Sequence, residues 1–200
     1  MKLLKSRKGL STVVTTLIIL VVSVLLASVV TFYAINVTTT RVQEESLFLT
    51  KPHVWVNGSS SPTQYMGAIM IINTGGRDVA LDKISVRGQE CPWENVYYTT
   101  TKEGISADLP YVWIPEGAVK GNITIGNRNY TFTKAGGDLT LKSGYTMIIY
   151  IRYPDSISIN DIGITVGITV FTSSAQYYKE VNVEAVEASD KNIATWRPIP

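Results

Sequence analysis

The chain has 200 residues, with one cysteine, one histidine, 18 basic and 16 acidic residues. This length suits one domain of modest size, and a single cysteine excludes an intramolecular disulfide and cysteine-rich zinc motifs. Four basic residues lie within residues 1–9, so the rest of the chain carries fourteen basic against sixteen acidic residues. Without a basic surface, nucleic-acid binding is not expected.

A long uncharged segment follows the basic start of the chain. Residues 1–9 read MKLLKSRKG, and no charged residue occurs between Lys8 and Arg41. As a helix, residues 10–35 would extend about 39 Å, which exceeds the hydrocarbon core of a bilayer at about 30 Å. The pattern predicts a helix that crosses a membrane once, with a cytoplasmic N-terminus and an exported C-terminal domain.

The basic start and the apolar segment meet at Gly9. A secretory signal ends in a small-residue cleavage site after its apolar stretch, and no such site follows here. Cleavage after Gly9 would instead make Leu10 the first residue and keep the apolar helix on the protein. Neither Gly nor Pro occurs between Gly9 and Pro52. We therefore predict a cleaved leader over residues 1–9 and a membrane or polymerisation helix over residues 10–51.

Small residues lie roughly along one face of this predicted helix. They either let neighbouring helix backbones approach closely, or use their hydroxyl groups to bond to carbonyls of their own helix. The sequence leaves both interpretations open. The residues are Thr12, Thr16, Ser23, Ala27, Thr31 and Ala34.

The pattern changes to that of β-strands beyond Pro52. Residues 52–200 contain about eight short apolar or alternating segments separated by turn residues, with no helical segment among them. This spacing predicts an α+β chain in which the long N-terminal hydrophobic α-helix precedes an antiparallel, Ig-like β-sandwich. A partly open barrel is the alternative. The strands that we delimit are 65–73, 79–86, 119–125, 129–133, 145–153, 161–171 and 176–186.

The sequence has no pattern typical of an enzyme. It lacks a phosphate-binding glycine loop and a metal-spaced carboxylate cluster, and no nucleophile motif accompanies His53. We therefore predict no catalytic residue, no metal and no cofactor. We interpret the loop between Asp155 and Asp161 as a solvated turn rather than a calcium site. Cys91 is predicted to be a buried thiol.

Four Asn-x-Ser/Thr sequons occur in the chain. In an exported protein such sequons are candidate glycosylation sites. We predict modification of Asn57, in a loop, and of Asn122 and Asn129, which flank a predicted hairpin. Asn36 is left out because it lies at the membrane end of the helix, where a glycosylating enzyme would reach it poorly.

Residues 6–35 resemble a known family. The sequence SRKG followed by LSTVVTTLIIL closely resembles the class III signal sequence of archaeal type IV pilins and archaellins. In that family a membrane-embedded prepilin peptidase cuts after the glycine, which implies cleavage between Gly9 and Leu10. Val14 occupies the fifth position after this cut, where bacterial type IV pilins carry Glu, so the archaeal form fits better. Archaellins often carry an early acidic residue that is missing here, so we favour an adhesive pilin.

The resemblance implies a structural role at the cell surface. The protein would be a subunit of a type IV pilus-like adhesion filament, and its precursor would lie in the cytoplasmic membrane. Its partners would be copies of itself in a helical homopolymer, the prepilin peptidase, an assembly ATPase and a membrane platform protein. The helix positions assigned to polymerisation are Leu10, Val14, Leu17, Leu20, Val24, Leu25, Val29 and Phe32.

Two alternatives stay open at this point. The chain would otherwise be a single-pass or minor pilin-like protein whose β-domain binds a sugar or a surface, or an archaellin of a motility filament. Assembly into long filaments favours a structural subunit, whereas a monomer with ligand affinity favours a binding module.

Overall fold

The computed structural model describes residues 6–42, 44–187 and 192–199, and side-chain burial for residues 12–40, 44–187 and 192–199. Residues 1–5 of the predicted leader therefore lie outside the described residues. The chain forms two compact units, a helical unit that ends at Glu44 and a β-domain that begins at Glu45. The predicted order, an N-terminal helix followed by a mostly antiparallel β-domain, is confirmed.

The first unit is a single long helix, α1, over Ser6–Val42. Its section Thr12–Thr40 contains 29 residues, and none of it is buried. This section is long and apolar enough to cross a membrane by length and composition alone.

The helix ends earlier than predicted. Residues 47–51, which we assigned to it, form the start of a strand instead. Leu49 pairs with Ile71, and the side chains of Leu47 and Leu49 are buried while Phe48 between them is exposed. Pairing with a distant strand buries two leucines that an extended helix would leave in solvent. The predicted helix over residues 10–51 is therefore wrong for residues 44–51, of which 44–46 are irregular and 47–51 form strand.

The described part of the β-domain contains twelve strands and two single-turn 3-10 helices. The 3-10 helices are Trp93–Asn95 and Ile159–Asp161. The strands are β1 (Leu47–Asn57), β2 (Gln64–Asn73), β3 (Val79–Val86), β4 (Gln89–Glu90), β5 (Val96–Thr101), β6 (Lys120–Ile125), β7 (Arg128–Lys134), β8 (Leu139–Leu141), β9 (Thr146–Arg152), β10 (Thr165–Thr172), β11 (Gln176–Ala185) and β12 (Arg197–Pro198).

The strands form one continuous sheet that folds over on itself. Its order is β12-β6-β7-β5-β9-β2-β1-β11-β10-β3-β4, with β8 also paired to β3. Among these described strands, β1 and β11 pair in parallel and the other pairs are antiparallel. Side chains of β1, β2 and β9 share one core with side chains of β3, β8, β10 and β11. The two halves of the sheet therefore face one another in a sandwich-like arrangement.

A second core covers the opposite face of the central strands. It contains side chains of β1, β2 and β9 together with those of β6, β7 and residues 109–114. Trp196, just before β12, also packs into it. All seven residues of β9 are buried, because the strand has a core on each face. This explains why its sequence is a nearly continuous apolar run.

The sequence pattern misses several strands, and the structure explains most of these differences. β4 and β12 have two residues each and β8 has three, which is too short for a periodic signal, and β1 contains Pro52 next to an apparent helix end. β5 was also not predicted, because its sequence VYYTTT does not alternate between apolar and polar residues. β10 begins at Thr165 rather than at residue 161. Asp161 closes the preceding 3-10 turn, since its Oδ2 accepts hydrogen bonds from the backbone and hydroxyl of Ser158 at 2.8 and 2.7 Å.

Candidate functional site

The main candidate surface is the apolar exterior of α1. Seventeen large apolar side chains between Val13 and Val37 are each 43–71% exposed. A helix that is apolar on all sides requires lipid or other protein around it. The exposed set includes seven of the eight positions that we assigned to polymerisation, namely Val14, Leu17, Leu20, Val24, Leu25, Val29 and Phe32.

Six hydroxyl groups of α1 donate hydrogen bonds to carbonyls of the helix itself. Thr16 Oγ1 donates to the carbonyl of Val13 at 2.9 Å, and Ser23 Oγ donates to that of Ile19 at 2.7 Å. The same pattern holds for Ser28, Thr31, Thr39 and Thr40. These groups therefore need no hydrogen-bond partner outside the helix. Close packing along the small-residue face stays a prediction.

The predicted cleavage site lies at the start of α1. The backbone of Gly9 and Leu10 is helical, and the side chains of residues 6–11 lie outside the described ones. Cleavage between the two residues stays a prediction.

The first candidate glycosylation site, Asn57, ends strand β1 and is half-buried. Its Oδ1 accepts a hydrogen bond from the backbone N–H of Ser59 at 3.2 Å. Its Nδ2 donates to Gln64 Oε1 at 3.5 Å, so the amide is tied to the beginning of β2. Its modification stays a prediction.

The other two candidates lie on one hairpin, and each is paired with the threonine of the other's sequon. Thr131 Oγ1 donates to Asn122 Oδ1 at 2.8 Å, and Thr124 Oγ1 donates to Asn129 Oδ1 at 2.5 Å. Asn122 is half-buried between β7 and Arg197 of β12, whereas Asn129 is exposed. Asn129 is therefore the more accessible of the two.

Other reactive groups in the described β-domain are engaged or buried. The carboxylate of Asp161 also accepts a hydrogen bond from Arg87 Nη1 at 2.8 Å, so it is not available to a cation. Cys91 is buried as predicted, and burial raises the pKa of its thiol to about 12, which keeps it protonated. No group of three or more His, Cys, Asp or Glu side chains in the described ranges is arranged to hold a metal ion.

No protein-family model and no curated protein matches this chain.

The chain is held firmly where it enters the β-domain. Arg77 Nη2 donates to Glu45 Oε2 at 3.0 Å and Thr172 Oγ1 donates to Glu45 Oε1 at 2.5 Å, while the Glu45 side chain is only 7% exposed. Burial raises the pKa of Glu45, but the hydrogen bonds from Thr172 and Arg77 outweigh it and bring the pKa below its ordinary value. The ionised carboxylate therefore links the domain entrance to the turn after β2 and the end of β10.

We expect Glu45→Gln to lower the stability of the β-domain at pH 7 by about 1.5–3 kcal/mol, the usual contribution of hydrogen bonds to a charged group. Because the pKa is lower in the folded state, this contribution is complete above the ordinary value of 4.5 and is lost as the pH falls through the folded value. Thermal unfolding followed by circular dichroism at pH 7 and pH 3 measures it.

The matched control is Glu90→Gln, at an exposed position of β4. It should leave the melting temperature nearly unchanged at both pH values. A Glu45→Gln deficit of equal size at pH 3 and pH 7 would contradict the role of the charge.

Proposed function

We propose that this protein is the structural subunit of an extracellular adhesion filament, a helical homopolymer held together through α1. The observation that carries the proposal is the contrast between the two units. The β-domain buries its own apolar residues in two cores, whereas α1 exposes seventeen large apolar side chains on all sides. Lipid covers α1 in the precursor, and the α1 helices of other copies cover it in the filament.

The size of the exposed apolar set supports permanent assembly. Burying such side chains contributes about 1.5–3 kcal/mol each relative to water, or about 25–50 kcal/mol per subunit as an upper bound. Release of a subunit into water is therefore negligible. A contact between copies that does not close into a ring extends into a fibre.

Assembly from the membrane would need an external source of energy. Lipid tails solvate α1 about as well as protein does, so transfer from the membrane into the filament gains little apolar free energy. In the family that residues 6–35 resemble, an assembly ATPase and a membrane platform protein provide this energy. The resemblance also supplies a prepilin peptidase that cuts after Gly9. Glycans at Asn57, Asn122 and Asn129 form part of this proposal.

Electron microscopy of filaments sheared from the native cells, combined with N-terminal sequencing, tests the proposal. We expect filaments made mainly of this chain and beginning at Leu10. In a Gly9→Val variant, the leader should stay attached and filaments should be missing, while Ser11→Val should be processed normally.

Protein with an intact leader, or protein present in membranes and never in fibres, would contradict the filament. Such a result would favour the alternative of a membrane-anchored binding module. A monomeric protein with measurable affinity for a sugar or a surface would identify that alternative directly.

A further inference from the structure

A cavity of about 240 Å³ opens in the β-domain between β1, the end of β11 and the segment around residue 108. Two carboxylates, an imidazole, an amide and two aromatic rings form its walls, and none of the described residues that line it is Lys or Arg. These side chains belong to His53, Trp55, Asp108, Tyr111, Glu184 and Asn192.

His53 lies between the two carboxylates of this cavity. Its Nε2 is 3.0 Å from Asp108 Oδ1, a hydrogen-bond distance, while its Nδ1 is 3.6 Å from Glu184 Oε2. Nδ1 is buried and has no hydrogen-bond partner. When the ring is neutral and Nε2–H donates to Asp108, Nδ1 and the Glu184 carboxylate are two acceptors facing each other. The buried Nδ1 then lacks a donor from the described side chains, while Glu184 is open to solvent.

The ring of His53 is held rigidly in this position. It stacks on Trp55 with the ring centroids 4.8 Å apart and an angle of 3° between the planes. Tyr111 packs edge-on against the Trp55 ring, with 5.9 Å between centroids. Trp55 and Tyr111 are both buried, so the wall of the cavity is preorganised.

The two carboxylates are accessible from solvent and provide negative charge. The side chain of Asp108 is 57% exposed and that of Glu184 is 49% exposed. Burial of Asp108 raises its pKa, but the hydrogen bonds that its carboxylate accepts, from His53 and from the backbone N–H of Leu109, help to bring the pKa below its ordinary value. The nearby Lys51 does not fill the cavity, because its Nζ donates to the carbonyls of Ile105 and Ser106 at 3.0 and 2.7 Å.

We propose that this cavity binds a cationic nitrogen group of the alkylammonium or guanidinium class. Several N–H donors on one cation satisfy His53 Nδ1 and Glu184 together, and the positive charge matches Asp108 and Glu184. Aromatic walls suit an organic cation. A metal ion fits less well. The two nitrogens of the His53 ring face different carboxylates, so the side chains of His53, Asp108 and Glu184 do not converge on one point.

The full-length chain in detergent micelles allows a direct test, since His53 is the only histidine and gives one set of imidazole NMR signals. The probe is agmatine, which carries a guanidinium and an ammonium group, added at constant pH and ionic strength. We expect saturable shifts of the His53 signals. Glu184→Gln and Asp108→Asn should each weaken binding at least about tenfold, as expected for loss of 1.4 kcal/mol or more.

The control variant is Glu180→Gln, which removes a carboxylate from the same strand outside the cavity. It should bind agmatine like the unmodified chain. Absence of a saturable shift up to millimolar agmatine, or equal binding by Glu184→Gln, would overturn the proposal. Saturable binding of Zn²⁺ without binding of agmatine would overturn the chemical class.

Two further arms identify the source of the cation. If it is a side chain of a second copy, concentrated protein should show the same His53 shift without agmatine, and agmatine should compete with it. If it is a small molecule, the shift should follow agmatine alone at every protein concentration.

Lys191 precedes Asn192 in the sequence, so its own ammonium group is a competing occupant of the cavity. Agmatine affinity that rises in Lys191→Gln would assign the cavity to this ammonium group and overturn the proposal. The dispersed chain is measured throughout, so failure here leaves the filament proposal unaffected.

Discussion

Leu25→Lys is expected to abolish filament formation and to reduce retention of the precursor in the membrane. Leu25 lies near the middle of the apolar section Thr12–Thr40 and is 60% exposed. A lysine at the centre of a membrane helix costs about 2.5–3.5 kcal/mol, or about 100-fold in an insertion equilibrium. In an assembled helix core the ammonium would also be buried without a partner.

The comparison is between Leu25→Lys and Thr40→Lys, which places the same charge at the end of the section. Filaments are counted by electron microscopy, and the precursor is measured in membrane and soluble fractions. Thr40→Lys should retain at least most of the filament yield. Normal filaments from Leu25→Lys would show that this part of α1 is not buried among subunits and would remove the basis of the polymerisation proposal.

Gly121→Ala is expected to cause the largest loss of stability from adding one methyl group to the β-domain. A Cβ at Gly121 would lie 2.3 Å from Trp196 Cε2, closer than atoms can approach. Trp196 is buried and packs against Tyr97 with 5.6 Å between ring centroids, so it would have to leave the second core. Loss of a buried tryptophan costs about 3–5 kcal/mol, which corresponds to ~10 °C in melting temperature.

Two controls separate this effect from a general intolerance of glycine replacement. In a Trp196→Ala background, Gly121→Ala should cost little further stability, because the clashing ring is gone. A Cβ at Gly167 would lie equally close to Tyr178, at 2.2 Å from Cε2, but Tyr178 is 60% exposed and can turn into solvent. Gly167→Ala should therefore cost less than about 1 kcal/mol. Equal losses for both glycines would contradict the buried-ring explanation.

The hairpin β6–β7 illustrates what a local pattern predicts well. The predicted strands, 119–125 and 129–133, flank a short turn. The observed pairing joins Ile125 to Arg128 and Thr124 to Asn129, so the turn consists of Gly126 and Asn127. Neighbouring strands joined by a short turn need no information from elsewhere in the chain. β2 and β3 were predicted for a similar reason, since a turn of six residues or fewer separates two clear apolar runs.

The His53 cavity illustrates what the local pattern misses. His53, Asp108 and Glu184 are far apart in the sequence, and none of them belongs to a recognisable motif. The fold brings them together because β1 pairs with β11 in parallel, placing Trp55 opposite Glu184. A parallel pair between the first long strand and the last one leaves no local sequence signal.

The sequence by itself determined the long apolar helix and the strand-rich nature of the following domain. These properties depend on composition and on the periodicity of apolar residues along the chain. Both act through the transfer of apolar side chains out of water and need no contact between distant residues. Only the tertiary structure decided that residues 47–51 form a strand, that β9 is buried on both faces, and that Trp196 occupies the space above Gly121. Each of these depends on residues that are distant in the chain, where the free energy of burying two surfaces together outweighs local conformational preference.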